Sequence, residues 1–178
     1  SETLGQTVGS TFDNKNVGSS KAVTVNAITL ANGSNGGLAL NYSISSGQTT
    51  TANITAKSLT VSGITASNKT YDGSTSATMD GTSAVYSGLV SGDTLTGTYS
   101  GVFDNANAGT GKTVTITSSY GGADVNNYTI TDQASTTADV TAKALTATAS
   151  ASNKTYDATN AATTTLTLSG LVGTETLN

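Results

Sequence analysis

Lys69, Tyr71 and Asp72 stand within four residues of one another in the heptad ASNKTYD (66–72), which returns as residues 151–157 with Lys154, Tyr156 and Asp157. A cation, a phenol and a carboxylate beside Asn68 and Asn153 could make a repeated active-site loop, a repeated ligand grip or a repeated piece of architecture. The rest of the chemical inventory narrows that choice. The 178 residues contain no His, Cys, Trp, Pro or Arg, and the seven cations are all Lys, set against eleven Asp and Glu for a net charge of −4. A thiolate or His-assisted nucleophile, an imidazole or thiolate zinc site and a CxxC redox pair are therefore excluded. Carboxylate-pair hydrolysis needs two acids in one cleft, whereas the acids here are scattered singly, five of the eleven beside Asn or Gly. The expectation is a protein that is not an enzyme, with no catalytic, cofactor-binding or metal-binding residues.

The heptad itself reads as a structural turn motif formed by Asn68, Lys69, Tyr71 and Asp72 and again by Asn153, Lys154, Tyr156 and Asp157. Asn, Asp and Gly73 are turn formers, and a tyrosine supplies a ring to bury and a hydroxyl that needs a partner when covered. The second copy carries Ala158 in place of Gly73, which loosens any demand for close backbone approach to a ligand.

Other constellations also have bland readings that outweigh the sharp ones. FDNKNVG (12–18) and FDNANAG (103–109) look like calcium loops, yet Asp13, Asn14, Asn16 and Asp104, Asn105, Asn107 lack the EF-hand spacing and its bidentate Glu. They read as Asn-rich turns. Lys57, Lys69, Lys112 and Lys143 recur at matched positions, as a Lys–Asn isopeptide bond would require, but the promoting acid is inconstant, because Asp139 is Asn53 in the other copy. Asn32, Asn41, Asn53, Asn68, Asn127 and Asn153 each fall in N-x-[ST], a match that arises by chance in so Ser- and Thr-rich a chain. Thr113, Thr115 and Thr117 could form an ice-binding ladder and are more simply the solvent side of a strand. Acidic charge without Arg argues against nucleic acid, and no apolar run approaches the roughly 20 residues that span a bilayer.

The elements that position these residues are repeated too. TANITAKSLT (51–60) returns as TADVTAKALT (137–146), and NYSI at Asn41 returns as NYTI at Asn127, both 86 apart. FDNKNVG returns 91 residues on and SGLVSGDTL (87–95) returns 82 on as SGLVGTETL. A face change between Ala52, Ile54, Ala56 and Leu59, Val61 is a break in strand phase and marks a crossing from one core to the next. Two divisions fit. The chain halves into β repeat domains at 1–91 and 92–178, or it holds a partial repeat at 1–56, a complete one at 57–142 and a partial one at 143–178. Alternation places Leu95, Tyr99 and Phe103 on one strand face with Gly97 and Gly101 between them. Six or seven short strands per repeat, separated by Gly, Asn and Asp, predict an all-β chain of tandem small antiparallel β-sandwich-like domains, with a grasp-like β arrangement as the alternative. Neighbouring repeats then bury the strand ends that a small unit leaves open.

Taken together, AKSLTVSGITASNKTYDGSTSAT, SGLVSGDTL, GVFDNANAGTGKTVTI, NNYTI and TADVTAKALT resemble the YDG-type repeats, relatives of the MBG repeats, of very large bacterial surface and secreted proteins. The resemblance covers essentially the whole chain. It implies a non-enzymatic module of a filamentous-haemagglutinin-like adhesin, extracellular or at the surface of a Gram-negative bacterium, that serves as stalk, spacer or filament unit in adhesion or a biofilm matrix. Neighbouring repeats of the same protein are the implied partners. A homopolymer by strand exchange, and a host glycan or protein gripped by loop Tyr, Asn and Asp residues, are further expectations; nucleic acid and membrane insertion are not. Burial of Tyr71, Tyr128 and Tyr156 would favour a spacer, and exposure a binding module.

Overall fold

β-branched residues alternating with small polar ones, punctuated by Gly and Asn, favour strands along nearly the whole chain. The computed structural model describes residues 3–177. In chain order the strands are β1 (Gly5–Phe12), β2 (Gly18–Ala31), β3 (Thr49–Ile54), β4 (Lys57–Ser62), β5 (Thr65–Ala66), β6 (Lys69–Thr70), β7 (Ser76–Ala77), β8 (Met79–Asp80) and β9 (Val85–Ser87). They continue as β10 (Thr96–Phe103), β11 (Gly109–Gly121), β12 (Tyr128–Thr131), β13 (Ser135–Thr141), β14 (Thr146–Ala151) and β15 (Thr164–Ser169). Single 3-10 turns at Ala39–Asn41 and Val125–Asn127 precede the two Asn-Tyr blocks or overlap them. The fold is all-β and sandwich-like. No helix among the described residues is long and apolar enough to cross a membrane.

The chain forms two compact units. One comprises residues up to Leu59 with Gly88–Thr96 and Gly121–Thr131; the other comprises Thr60–Ser87, Gly97–Tyr120 and residues from Asp132 onward. In the first unit β1, β2 and β3 form an antiparallel sheet in sequence order, with register running from Gly5 opposite Ala31 to Phe12 opposite Val23. In the second, five strands lie in the order β6-β13-β11-β10-β7. β14 and β15 form a hairpin from Thr146 opposite Ser169 to Ala151 opposite Thr164.

The two larger sheets share a bulge at one repeat position. The β2/β3 register shifts between Gly18 and Lys21, and the β11/β13 register shifts between Gly109 and Lys112. Gly111 takes a φ of 59°, and Ser20, its counterpart 91 residues earlier, takes 50°. The unpaired N–H at each bulge is satisfied from the neighbouring strand: Asn53 Oδ1 accepts from Ser20 N at 2.8 Å, and Asp139 Oδ1 from Gly111 N at 2.7 Å. Only an acceptor oxygen is required there, so Asn and Asp exchange freely between the copies.

One pairing departs from the antiparallel pattern. β6 runs parallel to β13, with Lys69 opposite Val140 and Thr70 opposite Thr141. Two residues suffice for this ladder because Tyr71 N also donates to Thr141 O at 2.8 Å and Asn68 Oδ1 accepts from Asp139 N at 2.7 Å.

In the second unit Phe103, Val114, Ala138 and Val140 are buried together, with Ala66, Tyr71, Ala77 and Met79 packed against them. Thr113, Thr115 and Thr117 face solvent between them, as period-two alternation requires. Gly101 allows the close packing, because a Cβ there would overlap the Met79 sulfur and lie 2.9 Å from Val114 Cγ1. Gln133 acts as a substitute strand for Ile64: its Oε1 accepts from Ile64 N at 3.0 Å while its Nε2 donates to Ile64 O at 2.7 Å. All nine buried apolar side chains among the described residues lie between Leu59 and Val140. At roughly 1.5–3 kcal/mol for a fully buried large side chain, so small a core leaves much of the folding decision to turns and polar contacts.

Candidate functional site

The repeated heptad forms a lysine-braced turn. Lys69 Nζ donates to Asp72 Oδ1 at 2.8 Å, Ser74 O at 2.7 Å, Ser74 Oγ at 3.0 Å and Ser76 O at 3.2 Å. It also lies 5.5 Å from the centre of the Phe103 ring. Asp72 Oδ1 accepts from Ser74 N at 2.9 Å, closing an Asx turn. Lys69 first, then the Ser74 N–H, draw the Asp72 carboxyl down to about 2. The second copy repeats the arrangement, with Lys154 Nζ 2.8 Å from both Asp157 Oδ1 and Thr159 O, and Asp157 Oδ1 accepting from Thr159 N at 3.0 Å. Gly73 sits at φ +76°, and Ala158 is held at 58° despite its Cβ.

The tyrosines of the two heptads differ. Tyr71 is half-buried and donates its hydroxyl to Glu175 Oε1, whereas Tyr156 is 91% exposed. Asn153 is exposed as well, while its counterpart Asn68 is bonded to β13.

The Asn-rich turns hold an ammonium group among their oxygens. Lys112 Nζ lies 2.8 Å from Asp104 Oδ1 and 2.7 Å from Asn105 Oδ1; Lys21 Nζ lies 3.0 Å from Asp13 Oδ1 and 2.6 Å from Asn14 Oδ1. These lysines hold the Asp104 and Asp13 carboxyls below the usual carboxylate range. Among the described residues no group of three or more Asp or Glu is placed to hold a metal ion.

In the first unit, three loops meet at a cluster with no obvious signature in the sequence. Lys15 Nζ lies 2.8 Å from Asp93 Oδ1 and 3.1 Å from Asp124 Oδ1. Tyr128, only 8% exposed, donates its hydroxyl to Asp93 Oδ2 at 2.7 Å and accepts from Val90 N at 3.0 Å. Asn127 Oδ1 accepts from Val17 N at 2.9 Å, and Asp124 Oδ2 from Thr94 N at 3.0 Å. Asp93 and Asp124 push Lys15 up to about 12. Lys15 holds Asp93 low, and the Thr94 N–H, then Lys15, hold Asp124 low. Two acids do converge here, but both are held ionised on one ammonium, and neither is poised to donate a proton. The cluster escaped sequence reading because Lys15 becomes Ala106 in the matching block; the signal available was the acid kept at Asp93 and Glu175.

The second unit carries an open, largely apolar groove of about 310 Å³ lined by Tyr71, Ala108, Leu145, Leu171, Val172 and Glu175, among others.

The YDG domain family model matches residues 1–52 and 55–138, which is well over half of the chain. The chain belongs to the YDG domain family. No curated protein and no solved structure matches it. In this YDG chain the tripeptide Tyr71-Asp72-Gly73 is the lysine-braced turn just described, with its carboxylate turned back onto Lys69 and Ser74 N.

Proposed function

We propose that this YDG chain is a non-enzymatic structural module, a stalk or spacer made of repeats in a large extracellular or surface-exposed bacterial adhesin. The observation that carries this reading is the internal use of the recurring polar residues. Lys69, Asp72, Lys154 and Asp157 brace turns, Lys21 and Lys112 fill Asn-rich turns, and Lys15 ties Asp93 to Asp124. Residues that recur in order to grip a ligand would direct these groups outward. Placement outside the cell rests on the likeness of the ordered blocks to the repeats of filamentous-haemagglutinin-like adhesins. Neighbouring repeats are the natural partners, since a spacer works by transmitting length and load.

Exposed Tyr156, with Asn153 and Asp157 beside it, favours a second reading, a module whose loops contact carbohydrate or host protein. One pair of measurements separates the two. Force spectroscopy on the whole chain, tethered at both ends, should give discrete unfolding steps, as a load-bearing spacer requires. Glycan-array and host-cell binding by the same chain should stay at background. Saturable binding abolished by Tyr156→Ala would overturn the spacer reading in favour of the binding module.

A further inference from the structure

Three consecutive residues of one Asn-rich turn reach across the boundary between two repeats. The YDG family match runs over residues 1–52 and again over 55–138, so Lys15, Asn16 and Val17 belong to one repeat and Asp93, Asp124 and Asn127 to the next. Lys15 Nζ lies 2.8 Å from Asp93 Oδ1 and 3.1 Å from Asp124 Oδ1. Asn127 Nδ2 donates to Asn16 Oδ1 at 3.3 Å, and Asn127 Oδ1 accepts from Val17 N at 2.9 Å. All of these residues lie within the first compact unit.

Each side of this contact is shaped by bonds of its own. In the turn, Asp13 Oδ1 accepts from Asn14 N at 2.9 Å and Asn14 Oδ1 from Asn16 N at 3.0 Å, with Lys21 Nζ bound to both side chains. Opposite it, Asp93 is held by the Tyr128 hydroxyl at 2.7 Å and Asp124 by Thr94 N at 3.0 Å, while Val90 N fixes the Tyr128 hydroxyl at 3.0 Å. The two carboxylates are therefore aimed by their own repeat, with side chains only 11% and 13% exposed. Like charges so close repel, and a cation between them removes that cost. The Lys15 side chain is 68% exposed, so dissolved ions reach it. The matching turn of the next repeat has the same frame without the cation. Asp104 Oδ1 accepts from Asn105 N at 2.9 Å, Asn105 Oδ1 from Asn107 N at 3.0 Å, and Lys112 takes the place of Lys21. Ala106, Asn107 and Ala108 stand there in the places of Lys15, Asn16 and Val17. The turn keeps its shape with either residue, so its own folding does not require Lys15.

We infer that loops 88–96 and 121–131 of a YDG repeat form a preformed acidic socket for the Asn-rich turn of the repeat before it, and that a lysine in that turn locks the two together. A turn with alanine in the same place, as at Ala106, is a neutral plug that such a socket holds less tightly. One residue of the turn thereby grades both the strength of a joint and its dependence on salt. The inference deepens the spacer reading, on which its use rests, by naming the surface through which consecutive repeats hold one another.

Amide exchange followed by NMR on the full chain tests this. Lys15→Ala installs the residue that the matching turn already carries, so the turn should fold. Exchange at Val17 N, whose acceptor lies across the boundary, should quicken by about threefold to tenfold, the range that one or two exposed ion pairs support. Exchange at Asn16 N, bonded inside the turn, and at Thr94 N, bonded inside the socket, should stay as it was. Raising salt from about 0.05 M to about 1 M, where the Debye length falls to about 3 Å, should quicken Val17 exchange to a similar extent in the native chain and hardly at all in Lys15→Ala. Asp124→Asn leaves an oxygen for Thr94 N, should itself quicken Val17 exchange, and should add nothing further to Lys15→Ala, because both changes remove one interaction. Unchanged Val17 exchange in Lys15→Ala, a salt response that survives in that variant, or additive effects in the double variant would each overturn the inference. So would a rise shared by Asn16 N, which would mean that the turn itself had come apart. None of these results touches the spacer reading, which stands or falls on force response and ligand binding.

Discussion

Gln133→Met removes the substitute strand that holds Ile64 while keeping the length and most of the volume of the side chain. In the folded chain Gln133 Oε1 accepts from Ile64 N at 3.0 Å and Nε2 donates to Ile64 O at 2.7 Å, beside an Ile64 side chain that is 1% exposed. The thioether can return neither bond, so a backbone donor and a backbone acceptor lose their partner together. Each such loss costs about 1–3 kcal/mol when the orphaned group stays out of water. Because Gln133 is only half-buried and water can reach one side, the lower half of the combined range applies, about 2–4 kcal/mol. For a chain of this size a loss near 3 kcal/mol lowers Tm by about 6–12 °C, readable by far-UV circular dichroism. Hydrogen exchange tests the cause directly, because the Ile64 amide should lose protection in the variant under native conditions. Gln48→Met provides the comparison. Gln48 Nε2 donates to Ser45 O at 2.6 Å on the surface, and this change should stay within about 0.5 kcal/mol. If Gln133→Met also stays within about 0.5 kcal/mol with Ile64 exchange unchanged, the argument that a side chain is replacing a strand fails.

Two further outcomes follow from the lysine-braced turns. Gly73→Ala imposes a Cβ at φ +76° that would lie 3.1 Å from Val172 Cγ1, so it should destabilise by about 1–2 kcal/mol; Ala158→Gly, relieving a φ of 58°, should stabilise by about 0.5–1 kcal/mol. Urea midpoints of the two variants should thus move in opposite directions. Acid should unfold the chain through its braces. The folded carboxyl of Asp72 is held at about 2, below its unfolded value near 4, so its contribution is complete above about pH 4 and fades as pH falls toward 2. Asp13, Asp93, Asp104, Asp124 and Asp157 are lowered as well and shift stability in the same sense. Lys15, raised to about 12, keeps its contribution below about pH 10 and loses it only above that. Stability measured against pH should be level between those limits and should fall on the acid side less steeply in Lys69→Met, whose Asp72 has lost its partner.

Local periodicity made the strand faces legible. Leu95, Tyr99 and Phe103 share the inner side of β10 and its approach, and Val114 and Ile116 share that of β11, because alternation is a local property of the chain. Block matching revealed the repeat, including acids and lysines that form the same turns twice. The parallel β6–β13 pairing was not legible, since two residues carry no periodicity and their partner lies about 70 positions away. Lys15 was missed for a related reason. Its partners Asp93 and Asp124 lie in separate loops, and the matching block has Ala106. Gln133 gave no sign at all, because nothing about an isolated glutamine tells a surface amide from one that completes a backbone ladder.

The exchanges between the copies sort by what each position must supply. Asn53 and Asp139 differ in charge, yet each supplies the oxygen that a bulge N–H needs. Ser20 and Gly111 differ in side chain, yet both hold positive φ, and Gly73 and Ala158 behave likewise. These exchanges preserve backbone geometry at a modest local strain, which is why the turns survive them. The opposite case is the heptad itself, in which identical residues end in different surroundings. Tyr71 is half-buried with its hydroxyl on Glu175, while Tyr156 stands in solvent on a turn of the same construction. The turn is therefore set by its own residues, whereas burial of the ring is set by the sheet brought against it. A repeat built this way carries its shape locally and obtains its core from a neighbour, so its stability should depend on adjacency more than on any residue inside the motif.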